Sequence, residues 1–231
     1  SNLTINEDAG TQTVSLAGIA VGPATATDEV GQILTITATS SNTALIPNPT
    51  VTYTSPAATG SIQFAPAANQ NGTATITVTV KDNGGVANLG VDTLVRTFTV
   101  TVNAVNDPPT LNALSNLTLN EDPGIQTVSL SGITVGPASA TDEAGQTLTV
   151  TATSSNTTLI PNPTVTYTSP NATGSIQFTP NADKNGTATI TVTVNDGQAA
   201  NNTVTQTFTV TVNAVNDVFA RAGDLLDVLG V

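Results

Sequence analysis

The sequence predicts an all-β protein built as two tandem antiparallel β-sandwiches in an end-to-end array. Three observations carry that prediction. The 231-residue chain repeats itself, its apolar residues alternate in short runs, and no window shows helical periodicity before the last fifteen residues. The repeat is nearly literal: "SNLTINED" at 1–8 returns as "SNLTLNED" at 115–122, and "SSNTALIPNPTVTYTSP" at 40–56 returns as "SSNTTLIPNPTVTYTSP" at 154–170. Between Asp82 and Phe98 the offset shifts, because the first copy carries extra residues there; length variation of that kind marks a loop. A repeat of this size is a domain rather than a solenoid unit.

Within the first copy, strands are predicted near 12–16, 33–39, 50–54, 61–65, 73–80 and 95–103, with Gly, Pro and Asn between them. "TATITVTV" places Ala74, Ile76, Val78 and Val80 on one face and Thr on the other, and "RTFTVTV" does the same with Phe98, Val100 and Val102. Thr and Val suit such strands because branched side chains pack well on a pleated, half-buried surface. About seven strands per ~100 residues is the pattern of an immunoglobulin-like sandwich, here without the Cys…Trp…Cys signature of antibody domains. The domains read as 1–107 and 108–217, followed by a tail at 218–231.

Composition narrows function. The formal net charge is −12, which disfavours nucleic acid and anionic membrane surfaces. The chain has no Cys, His, Met or Trp, so disulfides and thiolate or imidazole metal sites are excluded. No apolar run reaches the ~20 residues that a bilayer span needs, so no membrane insertion is expected. No secretory leader heads the sequence, which reads as mature, truncated or a fragment. No nucleophile–base arrangement is present. The adjacent pairs Glu7-Asp8 and Asp28-Glu29 would point to opposite faces of a strand rather than flank a sugar, so the chain does not read as an enzyme.

The acids are the informative residues. Of 16, twelve fall in four short motifs that each occur twice: Glu7, Asp8, Asp28, Glu29, Asp82 and Asp107, then Glu121, Asp122, Asp142, Glu143, Asp196 and Asp217. They sit at strand ends and turns beside Asn and Gly, not on the Thr faces of strands. Two mechanisms explain that placement. Asp and Asn make Asx-turns with no metal. Alternatively, clustered carboxylates with neighbouring amides and carbonyls are the oxygen ligands of calcium.

In order, "NED", "ATDEVGQILTITATS", "GSIQF…NGTATITVTVKDNGG" and "TFTVTVNAVNDPPT" resemble the cadherin domain pattern, most closely the cadherin-like repeats of large bacterial surface proteins and adhesins. The resemblance covers nearly all of both copies. It implies calcium as the cofactor, held at the junction of consecutive repeats by Glu7, Asn106, Asp107, Asp142 and Asp196, with Asp8 and Glu143 as helpers. Asp28 and Asp82 would form the equivalent half-site of the first copy, and Glu121, Asn216 and Asp217 that of the second. The chain departs from the family at Ala104, at "NQN" (69–71) and at Pro108, where acids or Asn are expected, so the ligand set is thinner. Pro108 and Pro109 stiffen the linker whether or not metal binds.

The implied function is a structural and adhesive spacer of an extracellular surface or matrix protein, with calcium-stiffened junctions. Two alternatives stand beside it. One is a carbohydrate-binding module directed at cell-surface polysaccharide; sugar platforms usually use exposed Trp and Tyr, and here Tyr53 and Tyr167, at equivalent strand positions, read as core or edge residues. The other is a subunit of a head-to-tail homo-oligomer. "PPTLNAL" (108–114) should form the first strand of the second copy, whereas the first copy starts at Ser1, equivalent to Ser115, and lacks a counterpart. "LDVLG" (226–230) lies over "LNALS" (111–115), so the tail could donate the missing strand to a neighbour. Asn-x-Thr triplets at Asn2, Asn71, Asn116, Asn156, Asn171, Asn185 and Asn201 read as chance in a Thr/Asn-rich chain.

Overall fold

The alternation becomes strands as expected. The computed structural model describes residues 1–231 except 24, 26–28, 30, 86–90 and 217–231. Asp28, Asp217 and the tail at 218–231 therefore lie outside the described residues. Two compact units form: Ser1–Val105 with Ala138–Ala144, and Asn106–Pro137 with the chain from Gly145 onward.

The first unit contains β1 (Leu3–Asn6), β2 (Gln12–Ala17), β3 (Thr35–Ser40), β4 (Thr50–Thr52), β5 (Thr59–Phe64), β6 (Gly72–Lys81) and β7 (Thr93–Asn103). One sheet runs β1-β7-β6-β3 and the other β2-β5-β4. All pairings are antiparallel except β1 with β7, which is parallel with Leu3 opposite Val100. The inward residues of both sheets meet in one core containing Ile46, Ile62, Phe64, Ala74, Ile76, Val100 and Val102, and the ring centroids of Phe64 and Phe98 lie 6.5 Å apart. Thr75, Thr77 and Thr79 alternate with the buried positions of β6, as the period of two requires.

The second unit repeats this plan with β8 (Leu117–Asn120), β9 (Gln126–Ser131), β10 (Thr149–Ser154), β11 (Thr164–Thr166), β12 (Thr173–Phe178), β13 (Gly186–Asn195) and β14 (Thr203–Asn213). Its sheets run β10-β13-β14-β8 and β11-β12-β9, with β8 parallel to β14. The core includes Leu111, Leu130, Ile133, Ile160, Ile176, Ile190, Val192, Val194, Phe208 and Val210. The loop joining its two long strands spans 196–202, against 82–92 in the first unit, which is where the copies differ in length.

Two features depart from the sequence reading. The short strands β1 and β8 were not among the predicted runs; each is only four residues and is held by a partner ~95 positions away. "PPTLNAL" was expected to form a strand, but it makes only an isolated bridge, Thr110 with Thr134. The prolines offer no N–H to a ladder. Gly132, at φ +67°, breaks the edge that the segment would follow. The segment is held by individual bonds instead: Thr110 N donates to Thr134 O (2.9 Å), and Asn112 N to Ser131 O (3.0 Å).

Tyr53 and Tyr167 occupy equivalent half-buried positions after β4 and β11. A Cβ on Gly60 or Gly174 would meet the ring of the neighbouring Tyr, so each glycine gives its Tyr room to lie against the sheet. Rings held this way are packing elements rather than an exposed sugar platform. Burial pushes the Tyr167 hydroxyl above its ordinary value. A raised folded-state value means that stability is fully present below the unfolded tyrosine range, near 10, and is lost as pH climbs through the folded one. The melting temperature of the second unit is therefore expected to fall at strongly alkaline pH, and Tyr167→Phe should flatten that fall; calorimetry across the alkaline range measures it.

Candidate functional site

The acids sit at strand ends because the turns there need side-chain acceptors. Glu7 follows β1 and is 4 % exposed. Its N–H donates to Asn103 O (2.9 Å), and its Oε1 accepts the N–H of Val105, pinning the chain that leaves β7. Glu121 does the same after β8, accepting the N–H of Val215 at 2.6 Å. Asp8, at φ 57°, accepts the N–H of Asn69 (2.9 Å), and Asp122 accepts that of Asp183 (3.2 Å). These two pairs tie the β1–β2 turn to the β5–β6 loop, and the β8–β9 turn to the β12–β13 loop.

Asp82 closes an Asx-turn on the N–H of Gly84 (2.9 Å), and Asp196 closes the equivalent turn on Gln198 (2.9 Å). Turn chemistry thus accounts for the placement of Asp82 and Asp196, and bonds to neighbouring loops for that of Glu7, Asp8, Glu121 and Asp122. Asp92, outside the motifs, accepts from the Thr93 hydroxyl (2.8 Å), which with Lys81 at 3.3 Å holds its carboxyl below the usual range. That exposed pair contributes little to stability.

In the first unit, Asn69 Nδ2 donates to Ser139 Oγ (2.6 Å) and Gln70 Nε2 to Ser139 O (2.7 Å). This is the "NQN" stretch, and it anchors a segment in which Asp142 is exposed while Glu143 is 1 % exposed. The two lie in a turn closed by Ala144 N donating to Thr141 O (3.3 Å), and the buried one is the residue expected only as a helper.

The densest arrangement belongs to the second unit. Asp196 is 3 % exposed, and its Oδ2 lies 3.1 Å from Asn106 Nδ2. The same nitrogen lies 3.0 Å from Ala200 O and 3.3 Å from both Asn201 O and Asp107 O. Gln146 Nε2 donates to Asn106 Oδ1 (2.8 Å), and Asn201 Nδ2 to Asn106 O (2.9 Å). An amide nitrogen has two hydrogens, yet four oxygens converge on this one. Sequence reasoning named Asn106, Asp107 and Asp196 but missed Ala200 and Asn201, which contribute main-chain carbonyls and leave no trace in residue type. Among the described residues, no three acidic side chains gather to hold a metal; this oxygen set combines one carboxylate with three carbonyls. The half-site residue Asn216 is exposed.

Two sheets facing one core, with a first short strand parallel to the last, define the immunoglobulin-like sandwich class, to which cadherin-like repeats also belong. Residues 106–213, which are the second copy, match the family model of the bacterial Ig domain. No curated protein sequence matches the chain. Among solved structures, it is similar to an endo-fucoidan hydrolase of glycoside hydrolase family 107, at 20 % identity over 94 % of this chain and 28 % of that one, with a TM-score of 0.33. It is also similar to domains 4 and 5 of the S-layer protein SbsC, at 20 % identity over 78 % and 70 % of the two chains, with a TM-score of 0.30. Protocadherin gamma B2 extracellular cadherin domains 1–5 follow, at 14 % identity over 94 % and 39 %, with a TM-score of 0.38. The chain spans under a third of the hydrolase and well under half of the protocadherin.

Proposed function

We propose that this chain is a non-enzymatic spacer of an extracellular surface or matrix protein, and that calcium bound around Asn106 stiffens the connection between its repeats. The observation that carries the metal is the convergence of four oxygens on the Asn106 amide. Calcium takes oxygen ligands of these kinds, and an amide can present its oxygen as readily as its nitrogen. Asp196, Asn106 and the carbonyls of Asp107, Ala200 and Asn201 would hold the ion. Glu7, Asp107 and Asp142 are the further carboxylates that the cadherin resemblance assigns to it, with Asp8 and Glu143 as helpers. The ion would supply positive charge in a chain whose net charge is −12. Its binding free energy would then appear as order in the linker. The bacterial Ig match and the tandem sandwiches support the spacer role and an extracellular setting.

Calorimetry of the full chain tests the metal. Calcium at about 100 times its dissociation constant should stabilise the second unit by about 2.7 kcal/mol, reversibly with chelator. Magnesium at equal ionic strength should do less, and Asp196→Asn should blunt the response. Identical wild-type melting in calcium and in chelator would overturn the reading.

A further inference from the structure

The two copies are so nearly literal repeats that the positions where they differ are informative. In the second unit, the β8–β9 turn, the β10–β11 loop and the β12–β13 loop form a cavity of about 480 Å³, whose walls include Asp122, Gly124, Pro161, Thr179, Pro180 and Asn181. The frame is common to both copies: Asp8, Gly10, Pro47 and Pro66 stand at the equivalent positions of the first. The chemistry is not common. Thr179 and Asn181 stand where the first copy has Ala65 and Ala67, and Thr158, whose carbonyl holds Asn181, stands where it has Ala44. Next to Gly124 in the chain, Ile125 replaces Thr11 and is 72 % exposed.

The bonds that fix these groups leave acceptors over. Asn181 N donates to Leu159 O (2.8 Å) and Asn181 Nδ2 to Thr158 O (3.0 Å), which anchors the side chain by its nitrogen. Asp122 spends one oxygen on the N–H of Asp183 (3.2 Å). Among the described residues, nothing bonds Asp122 Oδ2, Thr179 Oγ1 or Asn181 Oδ1. A ligand that suits this cavity therefore brings hydrogen-bond donors. It also brings apolar surface, because Pro161, Pro180 and Ile125 offer carbon rather than oxygen. Asp122 and a net charge of −12 oppose an anion. One carboxylate in the wall falls short of the oxygen shell that calcium takes.

We propose that this cavity binds a neutral polysaccharide and that Thr179 and Asn181 are the residues that select it. A sugar hydroxyl donates as well as accepts, and a sugar ring presents a C–H face that suits proline. Asp122 Oδ2 and Asn181 Oδ1 accept from hydroxyls of the sugar, while Thr179 Oγ1 can donate or accept. The volume falls within the ~300–1,000 Å³ of small-molecule pockets. Thr179 and Asn181 are exposed, so the bound sugar can continue into a longer chain. Loops carried by a rigid sandwich are where such sites arise. The first unit has the same frame with alanine at both selecting positions, and it serves as the non-binding control. The site depends neither on calcium nor on the spacer role.

Affinity electrophoresis of the full chain in chelator, through gels that contain a soluble neutral glucan, galactan or mannan, reads the site. At least one of the three should retard the wild type. In T179A/N181A the affinity should fall about tenfold, the effect of losing a hydrogen bond or two. That variant should still melt cooperatively by calorimetry, because the first copy carries alanine at both positions. The retarding polysaccharide should slow amide exchange over 179–184 and leave 65–70 unchanged. Free migration in all three gels, or retardation unchanged in T179A/N181A, would overturn the proposal. So would stronger retardation by a sulfated galactan than by the neutral polymers, since the exposed Lys184 rather than the cavity would then hold the ligand.

Discussion

Phe208→Ala is expected to cost the second unit about 3–5 kcal/mol, the range for removing a large buried aromatic. Phe208 is 2 % exposed and sits on β14 between Gln206 and Val210, with its ring in the core that β9, β12 and β13 share. The surrounding chains are fixed by two sheet ladders and cannot collapse far into the space left behind. Phe98 is the same residue at the same register, facing Ile76 as Phe208 faces Ile190, yet it is only half-buried. Phe98→Ala should therefore cost distinctly less. Comparing the two variants by denaturant melting measures what the deeper burial of Phe208 contributes, since the two ladders pair in the same register. Equal losses would mean that both cores are sealed to the same degree.

The second large effect is expected at Asp196. Replacing it by alanine in calcium-free buffer removes the acceptor of the Gln198 N–H and one acceptor of the Asn106 amide, in a place almost closed to solvent. The Gln198 bond is one to a charged acceptor, worth about 1.5–3 kcal/mol. The loss should appear as a lower melting temperature of the second unit and as faster amide exchange at Gln198. Asp82→Ala removes the matching turn bond at a more exposed site, and its cost should be smaller. If Asp196→Ala were neutral without metal, the carboxylate would be kept for a ligand rather than for the turn.

What could be read in advance followed from local pattern. The Thr/Val alternation of β6, β7, β13 and β14 shows which residues enter the core, because a strand's period of two is written in consecutive letters. The short strands β1 and β8 escaped because four residues carry too little periodicity, and their hold comes from a distant parallel partner. The fate of "PPTLNAL" turned on missing N–H groups and a left-handed Gly132, which limit a predicted strand to a bridge. Around Asn106, the acids were visible as residue types, while the carbonyls of Ala200 and Asn201 were not. Asp142 was preferred over Glu143 by resemblance, whereas burial distinguishes them the other way.

The parallel pairing of the first strand with the last also sets how each sandwich carries load. In the first unit, Leu3 to Asn6 run alongside Val100 to Asn103 in the same direction. Tension on the chain pulls the start of β1 one way and the end of β7 the other. Their shared hydrogen bonds are then strained in shear, together, rather than peeled apart one at a time. The same holds for β8 against β14. A four-residue strand that adds little to the resting core thereby becomes a mechanical clamp across the points where force enters and leaves.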